Sequence, residues 1–152
     1  MKKFISFTVF TLLIDQIIKI LVTSYMSLSS SISIIPSFFR ITYLQNTGAA
    51  WSTFSNKTVY LIILTIVFLV AFYFLLLKKT DFTKDKWIGV IYGIVVGGIL
   101  GNLFDRIRLG FVVDYLDFSI FGYNFPVFNF ADSCIVIGCI LLIIKSFKKG
   151  EE

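Results

Sequence analysis

The chain has 152 residues, 57% of them hydrophobic and 15% charged, with a mean hydropathy of +0.90. A soluble domain of this length cannot bury so much apolar surface, because average globular proteins are roughly half apolar. The absence of histidine excludes imidazole catalysis and the HExxH zinc helix. The net charge of +5 does not indicate nucleic-acid binding, because the basic residues collect beside apolar runs.

Apolar segments of the length needed to cross a bilayer, ~20 residues, recur along the chain. The first follows Lys2 and Lys3 and resembles a signal peptide, but it lacks a small-x-small cleavage site and is interrupted by Asp15 and Lys19. We therefore predict that it is retained as a helix. The sequence predicts an all-α membrane protein, a single polytopic domain over residues 1–152, with four transmembrane helices at about 4–22, 59–77, 87–103 and 130–147.

The orientation of these helices follows from the lysine clusters. They stand before the first helix, between the second and third, and after the fourth: Lys2 and Lys3; Lys78, Lys79, Lys84 and Lys86; Lys145, Lys148 and Lys149. An even number of spans brings all three clusters to one side, and basic clusters mark the cytoplasm. Both termini are therefore predicted to be cytoplasmic, with the connections at about 23–58 and 104–129 facing outward.

The two outer connections are too long to be simple turns. Alternating apolar and polar residues at 32–34 and 39–44 predict strands. The second connection is rich in aromatic residues, which favour the membrane–water boundary, and is broken by Gly122 and Pro126. We therefore predict a small extracytoplasmic β-sheet or hairpin region on the outer leaflet.

Glycine recurs every fourth residue in the third helix, at Gly89, Gly93, Gly97 and Gly101. Such a stripe predicts close helix packing in lipid, and Gly101, beside Asn102, is also a candidate for opening space for a ligand. In the first helix, Asp15 and Lys19 are four residues apart, so they share a face and can form an ion pair. We interpret this pair as structural, because it neutralises itself.

Polar residues from separate segments converge at the predicted outer membrane boundary. An ionisable side chain within lipid costs ~2.5–3.5 kcal/mol, so its presence there indicates a structural or functional role. The converging residues are Asn46, Asn102, Asp105, Arg106, Asp114, Asn129 and Asp132. The competing explanation, in which these residues are solvated loop ends and one buried ion pair, is disfavoured because several separate segments reach the same depth.

Without histidine, a carboxylate pair offers the strongest remaining chemistry, because a Ser133–Lys19 arrangement is disfavoured by the pairing of Lys19. Two close aspartates titrate apart, so that one activates water while the other donates a proton, as in aspartic proteases. Asp117 is expected to be solvated in a loop. The candidates are Asp15, Asp105, Asp114, Asp117 and Asp132, and the chemistry favours Asp114 with Asp132 without securing it.

Five sequence blocks occur in an order that resembles the lipoprotein signal peptidases, also called signal peptidase II. They are Asp15-Gln-Ile-Ile-Lys19, Asn46-Thr-Gly-Ala-Ala50, Gly101-Asn-Leu-Phe-Asp-Arg106, Gly110-Phe-Val-Val-Asp114 and Phe128-Asn-Phe-Ala-Asp132. The resemblance implies that Asp114 and Asp132 are the catalytic dyad. The substrate-binding residues that it implies are Asn46, Gly48, Asn102, Asp105, Arg106, Asn129 and Ala131.

The resemblance also implies a substrate and a location. The substrate would be a prolipoprotein whose cysteine carries a diacylglycerol thioether, cleaved just before that cysteine. No cofactor, metal or nucleic acid is implied, membrane lipids are the other partners, and a monomer is expected. The enzyme would be a multi-pass protein of the bacterial inner membrane, with its active site at the outer face.

Two other function classes have weaker support. Gly110 and Asp114 followed by Asp117 faintly resemble the metal-dependent CDP-alcohol phosphatidyltransferase signature, but its upstream part is missing. A channel or transporter subunit would need a polar path across the membrane, and the inner halves of these helices carry no comparable polar residues. The G-x-G-D motif of presenilin-type proteases is also absent.

Overall fold

The computed structural model describes residues 1–48, 57–83, 85 and 87–149, without the side chains of Lys148 and Lys149. Ala49 and Ala50 of the second sequence block, and Lys84 and Lys86 of the second lysine cluster, lie outside the described residues. The elements in chain order are α1 (Lys2–Tyr25), β1 (Ser31–Ile35), β2 (Phe39–Asn46), α2 (Thr58–Phe72) continuing into a π-helical turn (Tyr73–Leu77), α3 (Ile88–Leu109), β3 (Val112–Ile120), β4 (Tyr123–Asn124) and α4 (Phe130–Lys149).

In the part of the chain that the structure describes, four helices are long and apolar enough to cross a membrane: Lys2–Tyr25, Thr58–Leu77, Ile88–Leu109 and Phe130–Phe147. Helix α3 is the centre of the bundle, because most of its residues are buried whereas those of the other three helices are mostly exposed. The exposed faces are apolar, which suits contact with lipid rather than water. Four apolar helices with a small antiparallel sheet confirm the predicted fold class. Which membrane face the sheet meets stays a prediction.

The glycine stripe explains how closely α1 and α3 approach. A Cβ atom on Gly93 would lie 2.7 Å from the carbonyl oxygen of Phe4, and one on Gly97 would lie 2.7 Å from that of Thr8. Any larger side chain would force the two backbones apart, so the predicted close packing is confirmed.

Helix α3 extends to Leu109, six residues beyond the predicted end at 103. The prediction followed the apolar run, but Asn102, Asp105 and Arg106 continue the helix because their side chains find buried polar partners. The helix ends at Gly110, whose φ of 81° is a left-handed conformation that suits glycine. Two turns of α3 therefore direct polar side chains toward the sheet.

The sheet has the order β1-β2-β3-β4, with every neighbouring pair antiparallel. Strands β1 and β2 come from the α1–α2 connection, and β3 and β4 from the α3–α4 connection, so the β2–β3 pairing joins the two. In its register Asn46 lies opposite Val112 and Leu44 opposite Asp114. A buried cluster of Val22, Tyr43, Val113 and Tyr115 fixes the sheet to the end of α1. We call this end of the bundle the sheet end.

The opposite end of the bundle carries the described lysines of all three clusters. Asp85 accepts hydrogen bonds from the backbone N–H groups of Trp87 (2.8 Å) and Ile88 (3.3 Å), and so forms a side-chain turn just before α3. It also forms an ion pair with Lys145 of α4. The α2–α3 connection is thereby tied to the end of α4.

Candidate active site

Asp114 lies on β3 at the sheet end, 3% exposed. Its two carboxyl oxygens each accept one amide N–H: Asn129 Nδ2 lies 2.7 Å from Oδ1, and Asn46 Nδ2 lies 2.8 Å from Oδ2. Asn46 ends β2, so the β2–β3 register is what brings its amide to this carboxyl. The sheet and the start of α4 together hold Asp114 in one orientation.

Asp132 lies in the first turn of α4 and is partly exposed. Its Oδ2 accepts the backbone N–H of Asn129 at 3.2 Å, while Asn129 Oδ1 accepts the backbone N–H of Asp132 at 3.0 Å. This reciprocal pair is a capping box, which explains the Asn-x-x-Asp spacing at this helix start. Asn102 of α3 donates to the other oxygen, Oδ1, at 2.7 Å. Every carboxyl oxygen of Asp114 and Asp132 therefore has one N–H donor.

Asn129 links the two carboxyls. Its side-chain N–H donates to the Asp114 carboxyl and its backbone N–H donates to the Asp132 carboxyl, while its side-chain oxygen accepts the backbone N–H of Asp132. Burial raises the pKa of Asp114 to about 7, and the charge of Asp132 contributes next, against the lowering effect of the Asn46 and Asn129 amides. A carboxyl with a pKa near neutrality beside a second carboxylate can hold a proton that its partner lacks. The pair can thus supply both an acid and a base.

Behind this pair lies a buried charge cluster. Lys19 Nζ lies 2.9 Å from Asp15 Oδ2 and 3.0 Å from Asp105 Oδ2, and all three side chains are at most 1% exposed. The Asp15–Lys19 ion pair predicted from spacing is present, but Lys19 serves a second carboxylate as well. It also donates to Asn102 Oδ1 at 2.9 Å. Asn102 therefore links the charge cluster to the carboxyl pair, because it accepts a hydrogen bond from Lys19 and donates one to Asp132.

Asp105, predicted to bind substrate, lies inside this charge cluster and is 0% exposed. Its Oδ2 accepts the backbone N–H of Val113 at 3.2 Å, and its Oδ1 accepts Gln16 Nε2 at 3.0 Å. Asp105 thus fixes the start of β3, one residue before Asp114. Ala131 is also 0% exposed, and its backbone N–H donates to Asp15 Oδ1 at 3.2 Å.

The space left by Gly101 is occupied by a side chain of the protein. A Cβ atom on Gly101 would overlap the carboxylate of Asp15, which fills that space. The ligand-space interpretation of Gly101 therefore finds no support. The residue is small because a buried carboxylate stands against it.

Arg106 and Gly48 meet beside the carboxyl pair. The guanidinium donates through Nη2 to the carbonyl oxygen of Gly48 at 3.0 Å and through Nη1 to that of Asn102 at 3.4 Å. Gly48 N in turn donates to Asn46 Oδ1 at 2.9 Å, which orients the Asn46 amide toward Asp114. Among the described residues, Arg106 Nε is buried without a partner.

Asp117 was expected to be solvated in a loop, and this expectation is wrong. It lies on β3, 6% exposed, and Arg40 binds both its oxygens at 2.9 and 3.0 Å. These bonds hold the pKa of Asp117 below its usual range, with Thr42 adding a hydrogen bond of 2.6 Å. A carboxylate neutralised in this way is unsuited to acid–base work.

One polar residue that sequence reasoning did not single out is Gln16. Its Nε2 donates to Asp15 at 3.1 Å and to Asp105 at 3.0 Å. Its place between Asp15 and Lys19 in an apolar helix was the available signal. Within the described ranges no cluster of acidic and cysteine side chains is arranged to hold a metal ion.

Comparisons with known proteins agree on a family. A family model described as signal peptidase (SPase) II matches residues 7–148. The lipoprotein signal peptidase of Staphylococcus aureus strain JH9 is 40% identical over 140 residues, which cover 92% of this chain and 85% of that protein.

Two solved bacterial membrane enzyme structures, obtained by the in meso method at 2.3 and 1.9 Å resolution, are also similar. The first has a TM-score of 0.88 and 37% identity, covering 99% of this chain and 90% of the solved chain. The second has a TM-score of 0.85 and 38% identity, covering 97% and 94%. The five sequence blocks, the fold and these similarities lead to one conclusion: the chain belongs to the signal peptidase II family.

Proposed function

We propose that this chain removes the signal peptide of prolipoproteins with Asp114 and Asp132 as an aspartic dyad. The observation that carries the proposal is the shared Asn129, which binds both carboxyls and holds them as one unit. The other aspartates near the sheet end are committed elsewhere. Asp15 and Asp105 bind Lys19, and Asp117 binds Arg40.

The roles within the dyad follow from the environments of the two carboxyls. We assign the acid role to Asp114, because burial raises its pKa to about 7 and its protonated form can donate to the scissile carbonyl oxygen. Asp132 is the more exposed of the two and stands in the first turn of α4, where the helix dipole stabilises negative charge. Its carboxylate takes a proton from the attacking water.

The water oxygen then bonds to the carbonyl carbon and forms a tetrahedral intermediate. When the C–N bond breaks, the leaving amine takes the proton held by Asp132. Asp114 recovers a proton from one hydroxyl of the intermediate, which becomes the new carboxyl group. Both aspartates thus return to their starting states without a metal or cofactor.

The substrate that we propose is a prolipoprotein whose lipobox cysteine carries a diacylglyceryl group, cut just before that cysteine. Supporting this proposal are the family and the position of the dyad at one end of a membrane helix bundle. Acyl chains in the leaflet would hold the peptide bond at that depth, with each buried methylene contributing ~0.8 kcal/mol.

The decisive experiment compares Asp114→Asn and Asp132→Asn with Asp117→Asn as the matched control. All three replace a buried or partly buried sheet-end aspartate with a near-isosteric amide, but only the first two remove a carboxyl of the dyad. We expect the first two to abolish cleavage of a diacylglyceryl-modified prolipoprotein, measured as mass loss, while Asp117→Asn still cleaves. Substantial turnover by either dyad variant would remove that residue from the mechanism.

The lipid requirement is tested with the same assay. An otherwise identical prolipoprotein with a bare cysteine should be cut poorly, because nothing then holds its peptide bond at the depth of the dyad. Equal rates on both substrates would leave a general membrane protease. Unchanged cleavage in the presence of a chelator is expected and would exclude the metal-dependent phosphotransferase alternative. Loss of cleavage there would contradict a dyad that works without a metal.

We further propose that both termini are cytoplasmic and that the sheet and dyad meet the outer leaflet of the inner membrane. Support comes from the lysines gathered at the end opposite the sheet. A reporter active only in the cytoplasm should give signal when fused after Lys149 and none when inserted near Gly122. The reverse pattern would place the dyad on the wrong side for exported substrates.

We propose a monomer of one domain, since this chain by itself supplies an N–H donor to each carboxyl oxygen of the dyad. Light scattering of the detergent-solubilised, active enzyme should give the mass of one chain after detergent subtraction. Activity confined to a larger species would overturn this proposal.

A further inference from the structure

We propose that Lys19 is a positioning residue that sets the direction of the Asn102 and Asn129 side chains, so that each presents its N–H group to a dyad carboxyl. This inference rests on the proposed dyad and goes beyond an ion pair that only stabilises the helix bundle. It assigns Lys19 a part in the reaction through Asn102, without contact between Lys19 and substrate.

A lysine ammonium has three hydrogen-bond donors and no acceptor. Lys19 Nζ has three oxygen partners: Asp15 Oδ2 at 2.9 Å, Asp105 Oδ2 at 3.0 Å and Asn102 Oδ1 at 2.9 Å. The ammonium is 1% exposed, so water does not compete for these donors. All three N–H groups therefore have defined directions.

Asn102 has only one orientation that suits this ammonium. Because Lys19 can only donate, the Asn102 atom that faces it must be the carbonyl oxygen. The amide nitrogen then points the other way, toward Asp132 Oδ1 at 2.7 Å. A rotated Asn102 would present its nitrogen to the ammonium and its oxygen to a carboxylate, and both contacts would be repulsive.

The orientation of the Asn102 side chain also determines that of the Asn129 side chain. Asn102 Oδ1 also accepts Asn129 Nδ2 at 3.2 Å, so the amide nitrogen of Asn129 must lie on that side. That nitrogen also donates to Asp114 Oδ1 at 2.7 Å, and the remaining Oδ1 of Asn129 accepts the N–H of Asp132 at 3.0 Å. One buried cation thus determines which atoms of two amides face the dyad.

The two carboxylates of the charge cluster hold Lys19 in place for this task. Asp15 is fixed by the backbone N–H of Ala131 at 3.2 Å, and Asp105 by that of Val113 at 3.2 Å. These two anchors belong to α4 and β3, the elements that carry Asp132 and Asp114. The ammonium is therefore positioned by the same backbone that positions the dyad.

Loss of the ammonium would leave Asn102 free to rotate and to present its oxygen to Asp132. A simple Lys19→Met change leaves Asp15 and Asp105 without a cation, so that variant can fail to fold. The test therefore uses Asp15→Asn as the reference and compares it with Asp15→Asn/Lys19→Met, in which one of the two carboxylates is already neutral. In Asp15→Asn alone, Lys19 keeps Asp105 and Asn102 as partners.

The measured quantities are kcat and KM per folded enzyme on the diacylglyceryl-modified prolipoprotein. The kcat of Asp15→Asn serves as the reference value, because Lys19 keeps Asp105 and Asn102 as partners in that variant. Adding Lys19→Met should lower kcat roughly 10- to 100-fold, the rate equivalent of one hydrogen bond to a charged group, with little change in KM. Equal kcat for the two variants would overturn the inference.

A double-mutant cycle separates positioning from stability. If Lys19 acts through Asn102, adding Lys19→Met to Asp15→Asn/Asn102→Ala should cause less than a twofold further loss of kcat. Independent, multiplying losses would mean that Lys19 acts by another route and would overturn the inference. Failure of the dyad itself gives a different result, because Asp114→Asn and Asp132→Asn would then remain active.

Discussion

Replacing Gly101 by alanine tests the contact between the glycine stripe and the charge cluster. The new Cβ would overlap Asp15 Oδ2 and lie 3.0 Å from its Cγ, so the carboxylate must move. Moving it stretches the 2.9 Å ion pair to Lys19 and the 3.2 Å bond from Ala131 N. We expect a cost of about 3 kcal/mol, between ~1–3 for overpacking and ~3–5 for breaking a buried ion pair.

The cost should depend on Asp15, which makes a thermodynamic cycle informative. With Asp15→Ala, the nearest remaining atom to the new Cβ is Ala131 Cβ at 3.5 Å, an ordinary contact. Gly101→Ala should then be neutral or stabilising, because alanine is favoured over glycine in a helix by ~1 kcal/mol. Gly97→Ala is the control, since its Cβ would meet the carbonyl oxygen of Thr8 at 2.7 Å in either background.

The assay is thermal unfolding of the unmodified protein and five variants in the same detergent: Asp15→Ala, and Gly101→Ala and Gly97→Ala each with and without Asp15→Ala. At ~2–4 °C per kcal/mol for a chain of this size, Gly101→Ala should lower the midpoint by roughly 6–12 °C. In the Asp15→Ala background the same change should lower it by less than about 2 °C, which is under 1 kcal/mol. An equal loss in both backgrounds would refute the idea that the absent side chain of Gly101 makes room for the Asp15 carboxylate.

Three further outcomes are expected. The pH profile of kcat/KM should fall as pH rises through about 7, because Asp114 then loses the proton that it must donate; a profile flat through this range would argue against that role. Asn46→Ala removes an N–H that stabilises the charged carboxyl, so this falling limb should move to higher pH, and a move to lower pH would contradict the assignment. Arg106→Lys should lower kcat/KM roughly tenfold by losing the forked contact to the carbonyl oxygens of Gly48 and Asn102, whereas Arg108→Lys on the exposed face should change it less than about twofold; no loss for Arg106→Lys would show that its charge alone matters.

Much of the architecture could be predicted because lipid imposes simple rules. Helix number followed from apolar length, close packing from the spacing of Gly93 and Gly97, and strands from alternation at 32–34 and 39–44. These signals depend on neighbours in sequence, so they can be read without knowing the fold. The end of α3 could not be read in this way, because its last turns are held by tertiary hydrogen bonds rather than by apolar length.

The site residues also separate into those that sequence neighbours indicate and those that depend on tertiary contacts. Composition and spacing brought Asp114 and Asp132 forward as candidates, and the Asp15–Lys19 pair followed from helix geometry. Neither could show that Arg40 neutralises Asp117, because that pair depends on a β2–β3 register in which they lie opposite each other. A solvated loop and a paired strand residue look alike in sequence. Only long-range register separates them.

The proposed dyad and its donors come from β2, α3, β3 and the start of α4, which are made at different points of chain synthesis. A nascent chain that has emerged through β3 holds Asp114, Asn46 and Asn102, but neither Asp132 nor Asn129, which belong to the start of α4. On the proposed assignment, a partly inserted chain is therefore proteolytically silent. Because Asn129 donates to both carboxyls, the pair gains its shared donor only when the start of α4 packs against β3.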